Sequence, residues 1–301
     1  MRHEHRFPNL FIIGAMKAGT TSLSRYLGAH PEVFMTSDPK EPTYFLTRDQ
    51  LLDVLPGVEK RGFWRGEEFY LELFASAGDR PVIAEASANY ARLNRVAGVA
   101  ERIARFNPDA RIIYIMRDPV ERTISHYWYM VRFFAERRDM LTAVQQDSDY
   151  TDTSYYAMQL RPYLDLFGTD RVLTVTTETL RDRRAETVAS IFSWLNVDSA
   201  FMPPNLSEEA NRAPPVIQQV RGRGVLHRLR NSKLWNSIGP RVPRQLRALA
   251  RGLSERPVDR VATDIAAVRA YLRMVHLPQT RELEVLLGRD FPEWATLYET
   301  L

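Results

Sequence analysis

The chain of 301 residues contains no cysteine, which excludes a disulfide framework, a thiolate metal site and a cysteine nucleophile. It also lacks any long hydrophobic run. The first apolar stretch, Leu10-Phe11-Ile12-Ile13, is far too short for a signal segment or a membrane span, and no later stretch comes near one. Internal repeats and low-complexity segments are missing as well. A reducing cytoplasm suits a chain without cysteine, and cytoplasmic placement is the expectation. A large excess of either charge is missing too: 41 Lys and Arg stand against 37 Asp and Glu, a formal charge of +4. So mild a basic excess suits an anionic ligand or surface, and no nucleic-acid partner is expected.

What is present is an alternation of short apolar runs with helical patterns, which argues for an α/β fold on a mainly parallel sheet. A chain of this length with 45% hydrophobic residues can bury one sizeable core, so residues 1–301 are expected to form a single domain. Leu10–Ile13 reads as the first strand, followed by a turn and a helix carrying Leu23, Tyr26 and Leu27. Val82–Ala84 and Arg111–Met116 read as further strands, with a helix of about Arg95–Phe106 between them that stops at Asn107-Pro108. Asp118 suits a helix N-cap and Pro119 a first helical position. Helix Ser154–Phe167, strand Arg171–Thr176 and helix Arg184–Leu195 continue the alternation, and a final helix is expected at about Thr280–Leu287.

Composition changes after Phe201. From Arg221 to Arg256 there are ten Lys and Arg and a single acid, Glu255, interleaved with apolar residues. Residues 202–278 are expected to form a basic helical segment that covers the ligand side of the sheet. Its basic face is either simply solvated or meets an anionic acceptor or membrane surface.

Gly14-Ala15-Met16-Lys17-Ala18-Gly19-Thr20-Thr21-Ser22 joins the first strand to its helix. Open α/β sheets bind ligands at such a junction, and a helix N-terminus there offers N–H groups to an anion. The spacing Gly-x4-Gly is that of a Walker loop, yet Thr20 stands where a nucleotide kinase or hydrolase needs lysine. The only lysine, Lys17, lies earlier, inside the loop. Arg117 closes the strand Arg111–Met116 and would point into the same crevice, with Ser125 two helical turns further on. Guanidinium and hydroxyl could hold one phosphate between them, or Arg117 could simply pair with Asp118 or Glu121.

Met16-Lys17-Ala18-Gly19-Thr20-Thr21-Ser22-Leu23, followed by a strand that ends Arg117-Asp118-Pro119 and by Arg122, Ser125 and Tyr127, resembles the PAPS-dependent sulfotransferase family (PAPS is 3′-phosphoadenosine 5′-phosphosulfate). The resemblance implies a P-loop-like three-layer fold, with the central sheet flanked by helices. It implies a 5′-phosphosulfate loop formed by Lys17, Ala18, Gly19, Thr20, Thr21 and Ser22, and a 3′-phosphate site at Arg117 and Ser125. Thr177-Glu178-Thr179-Leu180 and the run from Leu286 to Trp294 are similar to later landmarks of the family. Arg221 and Arg223 fall roughly where the family places a basic loop over the nucleotide.

Pro39-Lys40-Glu41-Pro42-Thr43-Tyr44-Phe45 resembles the Lys-Glu-Pro segment of heparan-type glycan sulfotransferases, which implies Glu41 as the base that deprotonates an acceptor hydroxyl. Lys40 would hold sulfuryl oxygens or orient Glu41, and Lys17 would offset charge on the leaving oxygen. A surface Lys40–Glu41 pair is the plainer alternative. His126 is a rival base, since small-molecule sulfotransferases use histidine. At Glu85-Ala86-Ser87-Ala88-Asn89-Tyr90 the heparan pattern has a lysine where this chain has Ala86. The resemblance is to a bacterial-type cytoplasmic relative, with adenosine 3′,5′-bisphosphate as product, no metal, and a hydroxyl-bearing glycan, glycolipid or glycosylated natural product as acceptor. A P-loop-like nucleotide kinase or hydrolase, and a non-catalytic nucleotide-binding protein at a membrane, are the alternatives. The sequence assigns no oligomeric state.

Overall fold

The computed structural model describes residues 7–55, 66–208, 214–220, 255–260 and 263–299. In chain order the first half runs β1 (Leu10–Gly14), α1 (Thr20–Gly28), β2 (Val33–Met35), α2 (Arg48–Val54), α3 (Glu67–Glu72), β3 (Val82–Ala86), α4 (Val99–Phe106), β4 (Arg111–Met116) and α5 (Pro119–Phe133). The second half runs α6 (Met140–Gln146), α7 (Asp149–Asp152), α8 (Tyr156–Phe167), β5 (Val172–Thr176), α9 (Thr177–Asp182), α10 (Arg184–Leu195), β6 (Val216–Val220), β7 (Glu255–Asp259), α11 (Ala266–Leu287) and α12 (Ala295–Tyr298).

Strands β2-β3-β1-β4-β5 lie side by side in that order, every neighbouring pair parallel. Successive side chains of a strand face opposite ways, so β1 sends Leu10 and Ile12 to one layer and Phe11 and Ile13 to the other. The first layer is filled by Leu23, Tyr26 and Leu27 of α1 and by Val188, Ile191, Phe192 and Leu195 of α10. The second is filled from α4, α5, α8 and α11. Both faces are therefore covered, which is why the inner strands read as unbroken apolar runs.

A parallel sheet delivers all its strand ends to one edge. Here that edge carries the loops after β1, β4 and β5 on one half and those after β2 and β3 on the other. Gly14 lets β1 turn out of the sheet: a Cβ there would sit 3.0 Å from the Ala91 Cβ and 3.2 Å from the Tyr114 ring, at a φ of +154°.

Several boundaries differ from the sequence reading. The helix expected from Arg95 begins at Val99, capped by Gly98 in a left-handed conformation. The one expected from Ser154 begins at Tyr156, and β5 begins at Val172. The helix expected at about Thr280–Leu287 starts earlier, at Ala266, and is followed by the short α12. Pro278 lies inside the longer helix and removes only one helical hydrogen bond, the one to the carbonyl of Met274, an exposed residue. The buried stripe Val268, Leu272, His276, Thr280 and Leu283 runs through it unbroken. Within 202–278 the described parts hold the antiparallel pair β6 and β7 and the first half of α11. Arg221, Arg223 and the basic stretch up to residue 254, with its expected membrane contact, lie outside the described residues. Among the described residues no helix is long and apolar enough to cross a membrane.

Candidate active site

The loop after β1 enters α1 through Gly19, whose φ of +97° suits glycine alone. No side chain caps α1, and no acid occupies its first turn, so the positive end of the helix is left for an anion. Thr177, the first residue after β5, shares its single hydroxyl proton between the carbonyl of Ala18 and that of Met116, 2.9 Å away, pinning the loop to the end of β4. The Ala18 side chain is buried in the core, so only its backbone can take part in binding.

Lys17 sits over the ring of Tyr129, its ammonium 5.0 Å from the ring centre. Burial, then the neighbouring charges of Arg117, Arg260, Arg132 and Lys40, push its pKa down from 10.5 to about 8. A cation surrounded by cations marks a place where the fold awaits negative charge.

Asp118 caps α5 as the sequence suggests: its Oδ1 accepts from the N–H groups of Val120 and Glu121 at 2.9 and 3.2 Å. Arg117 therefore pairs with Glu121, at 3.6 Å, and not with Asp118. Glu121 is shared with Arg269, 3.0 Å away, so one carboxylate serves two guanidinium groups and leaves net positive charge. Arg117 and Ser125 line the same cleft as the β1 loop, a cavity of about 1630 Å³.

From the other half of the edge come Lys40 and Glu41. The Lys40 ammonium donates to the hydroxyl of Thr21, on the first turn of α1, at 2.5 Å, and reaches the Glu41 carboxylate at 3.4 Å. The pair is thus no detached surface contact, because it leans on the anion loop. Glu41 is 30% exposed and lines the cleft.

His126 also lines the cleft but is only 2% exposed. Its ring packs on Tyr150 and lies 3.5 Å from the Arg122 guanidinium. Burial and that guanidinium hold its pKa well below the usual histidine range. Ala86, where the heparan pattern has lysine, is buried in the layer beneath α1.

The structure brings together Lys17, Gly19, Thr20, Thr21, Ser22, Lys40, Glu41, Arg117, Ser125 and His126 around one cleft. Sequence reasoning missed Arg260, just after β7, which lines it as well and stands 5.7 Å over the Trp128 ring. It also missed Arg132, which lies close enough to lower the pKa of Lys17. Both are single arginines in arginine-rich surroundings, and no spacing signals them.

A model of the sulfotransferase family matches residues 8–201. Mouse heparan sulfate glucosamine 3-O-sulfotransferase 3A1 is 26% identical over 256 residues, 80% of this chain and 60% of that protein. Human heparan sulfate glucosamine 3-O-sulfotransferase 6 is 27% identical over 266 residues, 85% of this chain and 70% of that one. The crystal structure of a sulfotransferase from Alicyclobacillus acidocaldarius superposes with a TM-score of 0.67 at 25% identity, over 96% of this chain and 99% of that one. The chain thus spans 60% of the length of the first of these curated relatives.

Proposed function

The chain belongs to the sulfotransferase family, and from that premise we propose that it moves a sulfuryl group from PAPS to the hydroxyl of a carbohydrate-bearing acceptor, with Glu41 as the base. The residues fit such a donor. The uncapped start of α1 and Lys17 suit one anionic group, and Arg117 with Ser125 suits a second. The observation that carries the reading is Lys40, whose ammonium joins Thr21 of the anion loop to the carboxylate of Glu41. That link supports the reading of Glu41 as a general base next to the anion loop.

In the step itself, Glu41 takes the proton as the acceptor oxygen forms its bond to sulfur. The bond from sulfur to the 5′-phosphate oxygen breaks, and its electron pair stays with that phosphate. Lys17 offsets the charge that grows there. With a pKa of about 8 it is mostly protonated at pH 7. Glu41 suits the proton transfer better than His126, because a buried ring beside a guanidinium resists taking up a proton.

The test is transfer of label from PAPS to a panel of heparan sulfate, dextran and p-nitrophenyl glycosides, read by the mass gain of a sulfuryl group. Glu41→Gln should lower turnover at least about 100-fold and leave affinity for adenosine 3′,5′-bisphosphate unchanged. Wild-type turnover in that variant would remove Glu41 from the role.

A further inference from the structure

The carboxyl group of Glu85, at the end of β3, is fully buried and has no part in the chemistry above. It accepts three hydroxyl protons: from Tyr70 at 2.8 Å, from Tyr90 at 3.0 Å and from Ser87 at 3.1 Å. A buried acid normally answers to a cation. The groups given to Glu85 by the elements around it are instead Tyr70 of α3, and Ser87 and Tyr90 of the loop after β3, with Glu41 adding negative charge from the loop after β2.

Each of the three hydroxyl-bearing residues holds one of three consecutive residues just past Glu41. The Ser87 Oγ accepts the N–H of Thr43 at 3.1 Å. The Tyr90 hydroxyl accepts the N–H of Phe45 at 3.3 Å. The ring of Tyr70 stacks on that of Tyr44 at 4.1 Å, with the planes 6° apart. Thr43 needs such support, since its φ of +53° is one that a β-branched residue seldom adopts. A hydroxyl has one proton, and once Glu85 takes it only lone pairs face the backbone. A hydroxyl polarised by a carboxylate is also the better acceptor.

We propose that Glu85 is a positioning residue, which fixes the hydroxyl protons of Ser87, Tyr90 and Tyr70 and so holds residues 43–45 in the conformation that keeps Glu41 in the cleft. The proposal rests on Glu41 as base for its effect on turnover, but its effect on the segment is independent of that role. No donor residue belongs to the network, so donor binding is not part of it.

The experiment compares wild-type protein with Glu85→Gln, which keeps the shape of the side chain but turns an N–H₂ donor toward the hydroxyls. Amide hydrogen exchange at Thr43 and Phe45 should quicken about tenfold or more, while strands β1 and β4 keep their protection. Turnover on the acceptor panel should fall 10- to 100-fold in kcat, with the KM for PAPS and the affinity for adenosine 3′,5′-bisphosphate unchanged. Tyr90→Phe removes the acceptor of Phe45 together with one of the three hydroxyl donors to Glu85, and it should quicken exchange at Phe45 while Thr43, held by Ser87, is spared. If Glu85→Gln loses protection throughout the sheet, Tyr90→Phe decides alone: unchanged exchange at Phe45 overturns the proposal. Wild-type exchange at both amides in Glu85→Gln overturns it as well, whatever happens to turnover. If Glu41→Gln proves fully active, the base assignment falls, and the exchange result still judges the positioning.

Discussion

Lys17 offers the sharpest measurement, because its pKa of about 8 puts a charge change within easy reach of a binding experiment. The free protein holds the ammonium against burial and against Arg117, Arg260, Arg132 and Lys40. Adenosine 3′,5′-bisphosphate reverses that balance, and a dianionic phosphate beside Lys17 should restore its pKa toward the ordinary 10.4 or so. Binding therefore takes up protons. At pH 8 about half of the Lys17 side chains are neutral, so about half a proton is bound per ligand. From pH 7 to pH 9 the protonated fraction falls about tenfold, and affinity should fall with it, about 1.4 kcal/mol. The ligand phosphates are already dianions over that range, with second pKa values near 6. Calorimetry in two buffers of different ionisation heat counts the proton directly. Lys17→Arg keeps the charge and abolishes its titration, so the pH slope should vanish in that variant. A flat affinity from pH 7 to pH 9 in the wild type, or an equal slope in Lys17→Arg, would refute the reasoning.

Arg117→Ala should weaken adenosine 3′,5′-bisphosphate about 10- to 100-fold, the worth of a charged hydrogen-bonding partner, yet leave adenosine 5′-monophosphate unaffected. Equal losses for both ligands would move Arg117 off the 3′-phosphate. Asp118→Ala removes an N-cap that also accepts the N–H of Leu297 at 3.1 Å, and urea unfolding should show a loss of about 2 kcal/mol. Glu85 has its pKa raised from 4.5 to about 7 by burial, so the folded chain holds that proton more tightly than the unfolded chain does. Its contribution is present below about pH 4.5 and is lost as pH rises to about 7, on the order of 3 kcal/mol in all. Between pH 5 and pH 8, Glu85→Gln should lose less stability than the wild type, and parallel curves would show that Glu85 does not titrate in this range.

The loop proposed to hold the donor could be read from the chain as a loop because its signals are local. An anion loop needs glycine where the backbone turns left-handed, hydroxyls on the first helical turn and a cation nearby, all within Gly14 to Ser22. Asp118-Pro119 announces a capped helix in the same way, and the structure finds both residues at their expected positions. The strands were readable for a related reason. Coverage on both faces leaves no room for polar alternation in Arg111–Met116 beyond its first residue.

What stayed hidden depends on contacts between distant segments. Glu85 lies 44 residues beyond Glu41 in the chain, and only the pairing of β2 with β3 brings their loops to the same part of the edge. By itself a glutamate at a strand end reads as exposed, since burying a charge is costly. Its burial makes sense only once Tyr70, Ser87 and Tyr90 have arrived from α3 and the β3 loop. Arg260 is hidden in the same way, because it reaches the Lys17 neighbourhood through the β6–β7 pair rather than through the five-stranded sheet. Local chemistry thus announces a loop suited to an anion, whereas the groups proposed to aim the base are assembled by topology, and a single sequence carries no mark of them.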